Sequence, residues 1–217
     1  MRSEDKYWSH SEEEVEEVMR IVRRTKRKTI LEIGCFKFAM TGSFLINGVS
    51  EPRPLVIAMD PRDHDSDKRE LLTKSFGKKF QFIQADSHSC EAKNRLTNIL
   101  QGQKIDILYV DGDHKVPSVE QDTLEYIKYM DDDGYVIWHD AIQNSTVFRY
   151  HFSLLGNRFP ISLHFIRDSL IAYIQVKQFR EAEERAKKWM NEDYENGRWR
   201  NWPRNTPGLD FWSAIAA

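Results

Sequence analysis

From position 29 the sequence alternates between short, nearly continuous apolar runs and longer stretches of mixed polarity. The runs 29–33, 55–59, 80–84, 105–110 and 135–138 are rich in branched and aromatic residues. Continuity of that kind marks strands buried on both faces. The intervals between them read as helices over about 42–46, 66–76, 90–100 and 116–130. Five such strand and helix alternations predict an open α/β sheet of mostly parallel strands with right-handed crossovers and helices on both faces. A further helix is expected over 145–155, and then the rhythm breaks. The runs 161–166 and 170–176 are separated only by Arg167, Asp168 and Ser169, too few residues for a parallel crossover, so an antiparallel C-terminal hairpin is expected.

The ends of the chain carry different patterns. Residues 9–28 begin with two capping candidates, Ser9 and Ser11, pass through a run of glutamates and end in Arg23, Arg24, Lys26, Arg27 and Lys28. Acid first and base last suits the helix dipole, and Val15, Val18, Met19 and Val22 form one apolar stripe, so an amphipathic helix is expected on the domain. Residues 177–190 read as helical, and the tail beyond them holds Trp199, Trp202, Phe211 and Trp212 in a polar setting. The division this implies is an N-terminal helix over 1–28, a sheet domain over 29–176 and a C-terminal helix with an aromatic extension over 177–217. An aromatic tail packs on something, and a homodimer through it is one expectation.

Composition narrows the function class. With 32 Lys and Arg against 34 Asp and Glu the formal net charge is −2, so the basic helix end is a solvated face and nucleic acid is not an expected partner. An apolar fraction of 40% with only 10 Gly and 7 Pro in 217 residues excludes a disordered or collagen-like chain. No apolar run approaches the roughly 20 residues that span a bilayer, and the first residues lack a signal-peptide stretch, so the expectation is a cytoplasmic protein without a membrane partner. Cys35 and Cys90 cannot form a disulfide framework and read as reduced thiols.

Open parallel sheets bind ligands beyond the carboxyl ends of their strands. Each of the five strands here ends in or just before an acid: Glu32 before Gly34, then Asp60, Asp86, Asp111 and Asp140. Gly34 permits a tight turn and a close backbone approach. Asp60 is placed to accept hydrogen bonds from the two hydroxyls of a ribose, and Asp86 from an adenine amino group, which together describe an adenosine pocket. Each acid could equally cap the helix that follows it. His10, His64, His88, His151 and His164 show no ligand spacing and read as ordinary. Gln143, Asn144 and Ser145 are candidates for substrate contact or for a helix cap, and Asp131, Asp132 and Asp133 read as a helix-ending turn.

Two stretches carry a family resemblance. "ILEIGC" is similar to the first motif of the class I S-adenosylmethionine-dependent methyltransferases. "IDILYVDGDHKVPSVEQDTLEYIKYMDDDGYVIWHDA" resembles more narrowly the metal-dependent small-molecule O-methyltransferases that include macrolide-sugar enzymes. The resemblance spans residues 29–176 and implies a Rossmann-like fold, S-adenosylmethionine as cofactor and a small-molecule hydroxyl as substrate. It implies cofactor contacts from Glu32, Gly34, Cys35, Gly42, Ser43, Asp60, Asp86, Ser87 and Asp111. It also implies a divalent metal, Mg2+ or Mn2+, on Asp111 and Asp140, with His139 as the third ligand where relatives carry a carboxylate. His114 is then the candidate general base, because imidazole titrates near neutral pH, with Asp113 to orient it.

The chain departs from that family's glycine-rich turn. Phe36, Lys37 and Phe38 follow Cys35, and Phe38, Ala39 and Met40 read as a three-residue insertion before Thr41, Gly42 and Ser43. Two other readings keep the fold. One is a nicotinamide-dinucleotide enzyme, which the missing Gly-x-Gly-x-x-Gly turn opposes. The other is a catalytically silent binding or assembly module, which Phe36 and Phe38 favour and the acids at the strand ends oppose.

Overall fold

The structure, a computed structural model, describes residues 10–25, 28–47, 53–141, 164–166 and 170–195. Helix α1 (Glu12–Val22) precedes strand β1 (Thr29–Ile33). Then come α2 (Ala39–Asn47), β2 (Leu55–Asp60), α3 (Ser66–Phe76), β3 (Phe80–Gln84), α4 (Cys90–Leu100), β4 (Ile105–Val110), α5 (Val116–Tyr126) and β5 (Met130–Trp138). The short β6 (His164–Phe165), β7 (Ala172–Gln175) and α6 (Val176–Glu195) complete the described elements. The sheet has seven strands in the order β3-β2-β1-β4-β5-β7-β6. The first five pair in parallel, while β7 runs antiparallel to both β5 and β6. This is the doubly wound α/β sheet with an antiparallel C-terminal hairpin that the apolar rhythm predicts.

Strands β1 and β4 are buried at every position, including Glu32 and Asp106 among their apolar residues. One face of the sheet packs Leu31, Ile57, Leu108 and Trp138 against α4, α5 and α6. The other packs Ile30, Val56, Ile107 and Tyr109 against α1 and α2. In the first layer the Trp138 indole donates to the Thr123 hydroxyl on α5 at 2.9 Å. Helix α1 starts at a capping box: Glu14 N donates to the Ser11 hydroxyl at 3.1 Å, and Ser11 N to the Glu14 carboxylate at 3.0 Å. Among the described residues no helix is long and apolar enough to cross a membrane.

Three boundaries differ from the sequence reading. Helix α2 begins at Ala39 rather than near 42, so the residues read as an insertion are no excursion. Ala39 and Met40 form its first turn, and Phe38 and Met40 are buried in the core. Asp131, Asp132 and Asp133 do not end a helix, because α5 has already given way to a 3-10 turn (Ile127–Tyr129) and β5 begins at Met130. The register between β4 and β5 jumps from Ile105 opposite Met130 to Ile107 opposite Tyr135, so the aspartates form a bulge inside the strand. Gly134 closes that bulge, where a Cβ would sit 2.6 Å from the Asp106 carbonyl oxygen. Finally, helix α6 begins directly at Val176 and runs to Glu195, beyond the expected end at 190. The helix expected over 145–155, the contact candidates Gln143, Asn144 and Ser145, His151 and the aromatic tail lie outside the described residues.

The tips of β1 and β4 are locked together. Asp111 N donates to the Ile33 carbonyl at 2.8 Å, and Gly34 N to the Met59 carbonyl at 2.8 Å. Gly34 takes φ +83°, and a Cβ there would lie 2.1 Å from the Asp111 carbonyl oxygen. Backbone cannot yield that space, so Gly34→Ala is expected to lose at least about 3 kcal/mol of stability, read as the shift in a urea unfolding curve. A loss under about 1 kcal/mol, the typical effect of a point substitution, would mean the strand tips part easily.

Candidate active site

The carboxyl ends of β1 to β5 open on one cavity of about 720 Å³. Ten of the residues singled out in the sequence line it: Glu32, Gly34, Cys35, Asp60, Asp86, Ser87, Asp111, His114, His139 and Asp140. Gly42 and Ser43 do not. With Ala39 and Met40 inside α2, they fall a turn further along that helix, where Gly42 is buried and the Ser43 hydroxyl donates to the Ala39 carbonyl.

Beyond Gly34 the turn after β1 contains no further glycine. Phe36 and Phe38 take φ +41° and +56°, left-handed conformations that cost roughly 1–2 kcal/mol for a residue with a Cβ. Phe38 recovers this through full burial, edge-on to Phe80 and Phe82, where burying a ring contributes about 1.5–3 kcal/mol. Phe36 stays at the cavity rim against the His64 ring, centroids 4.7 Å apart, with the Lys37 ammonium 5.4 Å from its own centroid. Its backbone N–H donates to Asp60 at 3.0 Å. The other Asp60 oxygen accepts from Arg62 N at 2.9 Å. Asp60 thus braces the turn from the end of β2.

Neither sheet-end acid caps the following helix. Asp65 caps α3 by accepting from Lys68 N, and Ser89 caps α4 by accepting from Ala92 N. Asp86 accepts from His88 N at 2.9 Å and keeps its carboxylate otherwise exposed at the cavity. Asp122 was not singled out in the sequence. It lies almost fully buried on α5 with His88 Nε2 at 3.1 Å, and burial raises its pKa. The signal was present: Val119, Asp122, Thr123 and Tyr126 form the buried stripe of α5, and an acid on an apolar stripe is out of place.

At the tips of β4 and β5 the charge is dense. Asp111 has His10 Nε2 at 3.5 Å, His139 Nδ1 at 3.2 Å and His114 Nε2 at 3.6 Å. Burial alone would raise its pKa, but hydrogen bonds from His10, His114 and His139 outweigh it and hold the carboxyl well below the usual range. Asp140, at φ +53°, turns its carboxylate to 2.8 Å from His114 Nε2, and His114 and His139 hold it low as well. Asp111 and then Asp140 push His114 up to about 9. His139 reaches about 10 as the pull of the same two acids overcomes its burial. Without a cation both imidazoles therefore carry protons near pH 7, which differs from the neutral His114 that the sequence reading assigned as base. Ligand atoms of Asp111, His114 and Asp140 lie within 4.8 Å of one another, as do those of His10, Asp111 and His139. The geometry thus brings both His114 and His139 against the two acids, with His139 Nδ1 3.5 Å from Asp140 Oδ1, and adds His10 beside Asp111 Oδ2. Asp113 accepts from the Ser118 hydroxyl at 3.0 Å and faces the Lys115 ammonium rather than orienting His114.

Glu32 lies beneath this cluster, 2% exposed, and accepts from the Thr41 hydroxyl on α2. Burial, opposed by that hydrogen bond and aided by the charges of Asp111 and Asp60, raises its pKa from 4.5 to about 8. The Cys35 thiol is likewise pushed up by burial and is inert at neutral pH.

Residues 31–141 match the family described as a methyltransferase domain, just over half of the chain. No curated protein matches the sequence itself. Among solved structures, an SAH-bound methyltransferase of Podospora anserina is similar with a TM-score of 0.62 at 14% identity, over 80% of this chain and 82% of its own. The apo TDP-rhamnose 3′-O-methyltransferase of calicheamicin biosynthesis has a TM-score of 0.57 at 15% identity, over 74% of this chain and 77% of its own. A cofactor-bound protein from MTB has a TM-score of 0.59 at 12% identity, over 78% of this chain and 82% of its own. At these identities the likeness is one of fold.

The raised Glu32 pKa has a consequence for stability. Its favourable contribution is complete below about 4.5 and is lost as pH rises through about 8. Glu32→Gln, which stays uncharged, should gain on the wild type by an amount on the order of a few kcal/mol between those limits. Urea midpoints of both proteins in steps from pH 5 to 9 test this, and a constant difference would mean that Glu32 is ionised throughout.

Proposed function

The chain belongs to this methyltransferase-domain family, and from that premise we propose that it moves a methyl group from S-adenosylmethionine to a hydroxyl of a small molecule, assisted by a divalent cation on Asp111 and Asp140. The observation that carries the finer reading is the convergence of Asp111, Asp140 and His114 at one end of a cavity whose other end holds Asp60 and Asp86. Two carboxylates with water completing the shell suit magnesium or manganese, and the His114 imidazole stands beside them. The cavity is of small-molecule size.

When bound, the cofactor supplies a methyl already activated on a sulfonium, and a cation lowers the pKa of a coordinated hydroxyl while taking up the carboxylate charge that otherwise keeps His114 protonated. The chain's own part is positioning and proton transfer. Asp60 presents its carboxylate, held rigid by the N–H groups of Phe36 and Arg62, to the ribose side of the cavity. Asp86 stands at the adenine side with its carboxylate open. Phe36 and Phe38 take left-handed conformations in the turn beyond Gly34, where no glycine stands, and Asp60 braces that turn, which supports a working cofactor site over a silent module. His114 is the group placed to accept the hydroxyl proton, and Asp140, 2.8 Å from its Nε2, steadies the imidazolium that results.

Two titrations test the reading. S-adenosylhomocysteine should bind the wild type saturably in calorimetry, and Asp60→Asn should weaken it roughly 10–100-fold, the worth of a hydrogen bond to a charged group. Mn2+ followed by electron paramagnetic resonance should bind the wild type and be weakened in Asp140→Asn. Absence of cofactor binding sinks methyl transfer, whereas cofactor binding without Mn2+ binding leaves a metal-free methyltransferase.

A further inference from the structure

We propose that Asp122 and His88 set the base specificity of the cavity, Asp122 fixing the tautomer of His88 so that its Nδ1 accepts a hydrogen bond from the exocyclic amino group of a purine. The inference rests on the cofactor proposed above, whose base it addresses. Both residues line the cavity beside Asp86 and Ser87. Asp122 comes from the buried stripe of α5, and His88 from the loop between β3 and α4. Asp122 Oδ1 and His88 Nε2 stand 3.1 Å apart. Both atoms are buried, and neither has another hydrogen-bond partner among the described residues. Buried polar atoms are ordinarily satisfied, so each of these serves the other, and Nε2 carries its proton toward the carboxylate. Burial raises the Asp122 pKa while Ser87 and His88 oppose it, so these two neighbours are what keep a carboxylate at such depth. Glu125, the next acid along α5, is taken by the Lys93 ammonium at 2.6 Å.

The other ring nitrogen is then an acceptor, because a neutral imidazole protonated at Nε2 leaves a lone pair on Nδ1. Nδ1 lies 3.8 Å from Asp86 Oδ1, too far for a hydrogen bond between them. The ring is held in place from both sides. Asp86 Oδ1 accepts from His88 N at 2.9 Å, and the Tyr126 hydroxyl on α5 donates to the Ser87 carbonyl. His88 Nδ1 and the exposed Asp86 carboxylate therefore offer two acceptors at one spot. An amino group brings two hydrogens to such a pair, whereas a carbonyl oxygen brings none, so adenine is favoured over hypoxanthine. Asp86 by itself discriminates weakly, since an acceptor open to water exchanges one hydrogen bond for another at little net gain. The buried Asp122, acting through His88, supplies the selectivity that an exposed carboxylate lacks.

The experiment joins a measurement of the ring tautomer to a comparison of two ligands, both on the full-length chain. Long-range proton-nitrogen correlation spectra of histidine-labelled protein should show His88, assigned by its absence from His88→Phe, protonated at Nε2 alone. In Asp122→Asn, whose amide can donate to Nε2, the proton should move to Nδ1. In calorimetry the wild type should bind S-adenosylhomocysteine more tightly than S-inosylhomocysteine by on the order of 100-fold, and Asp122→Asn should cut that ratio at least about tenfold. His88→Phe keeps a ring and removes Nδ1, so it should cut the ratio as well, and thermal midpoints check that both variants fold. A His88 ring protonated at Nδ1 or at both nitrogens in the wild type, a wild-type ratio near one, or a ratio that neither variant changes overturns the proposal and leaves methyl transfer standing. If the wild type binds neither ligand, methyl transfer falls and this inference falls with it.

Discussion

The carboxylate of Asp111 is the point on which the site depends. It follows β4, the strand at the centre of the sheet, and three imidazoles from separate stretches of chain meet it. Its own backbone N–H is spent on the tip of β1. An acid so placed would be costly if unpartnered, because burial disfavours its charge. Three histidines offset that cost, and in doing so they draw the N-terminal segment, the loop after β4 and the end of β5 to one spot. The electrostatic requirement of one buried group thereby organises the end of the sheet where chemistry takes place.

The turn after β1 makes a complementary point about backbone. Left-handed conformations are normally given to glycine, yet here two phenylalanines adopt them on either side of Lys37. The strain is tolerated because the surroundings over-determine it: Phe38 is locked between Phe80 and Phe82, and the N–H of Phe36 is held by Asp60. The aromatic rings therefore do two jobs, filling the core under the sheet edge and lining the rim beside His64.

Much was legible in the chain before it folded. Nearly continuous apolar runs located all five parallel strands, although β1 and β4 each bury an acid, Glu32 and Asp106, and β3 at the sheet edge exposes Gln84. The short spacer at 167–169 foretold the antiparallel end, since so few residues cannot cross a sheet. The acids at the strand ends pointed to the cavity, because topology alone brings the carboxyl ends of parallel strands together. What local pattern missed were features set by neighbours distant in sequence. Asp131, Asp132 and Asp133 look like a turn but form a bulge, because β4 supplies the partner. Phe38, Ala39 and Met40 look like an insertion before a helix starting near 42, but Ala39 and Met40 open α2 because Phe38 and Met40 are pulled into the core.

The sequence by itself determined the architecture, the end of the sheet that carries the site and most of the acids lining it, since these follow from periodicity and from chain connectivity. Only the tertiary structure decided which histidines matter and in what state. His10 lies roughly a hundred residues from Asp111 along the chain, and no spacing rule links them. They meet because α1 packs on α2, with Glu14 closing the cap on Ser11 and accepting the N–H of Leu170 near β7. The protonation of His114 likewise depends on two carboxylates from different strand ends, Asp111 and Asp140. Proximity across the fold sets the field at each of these groups, and proximity is what a linear order of residues does not contain.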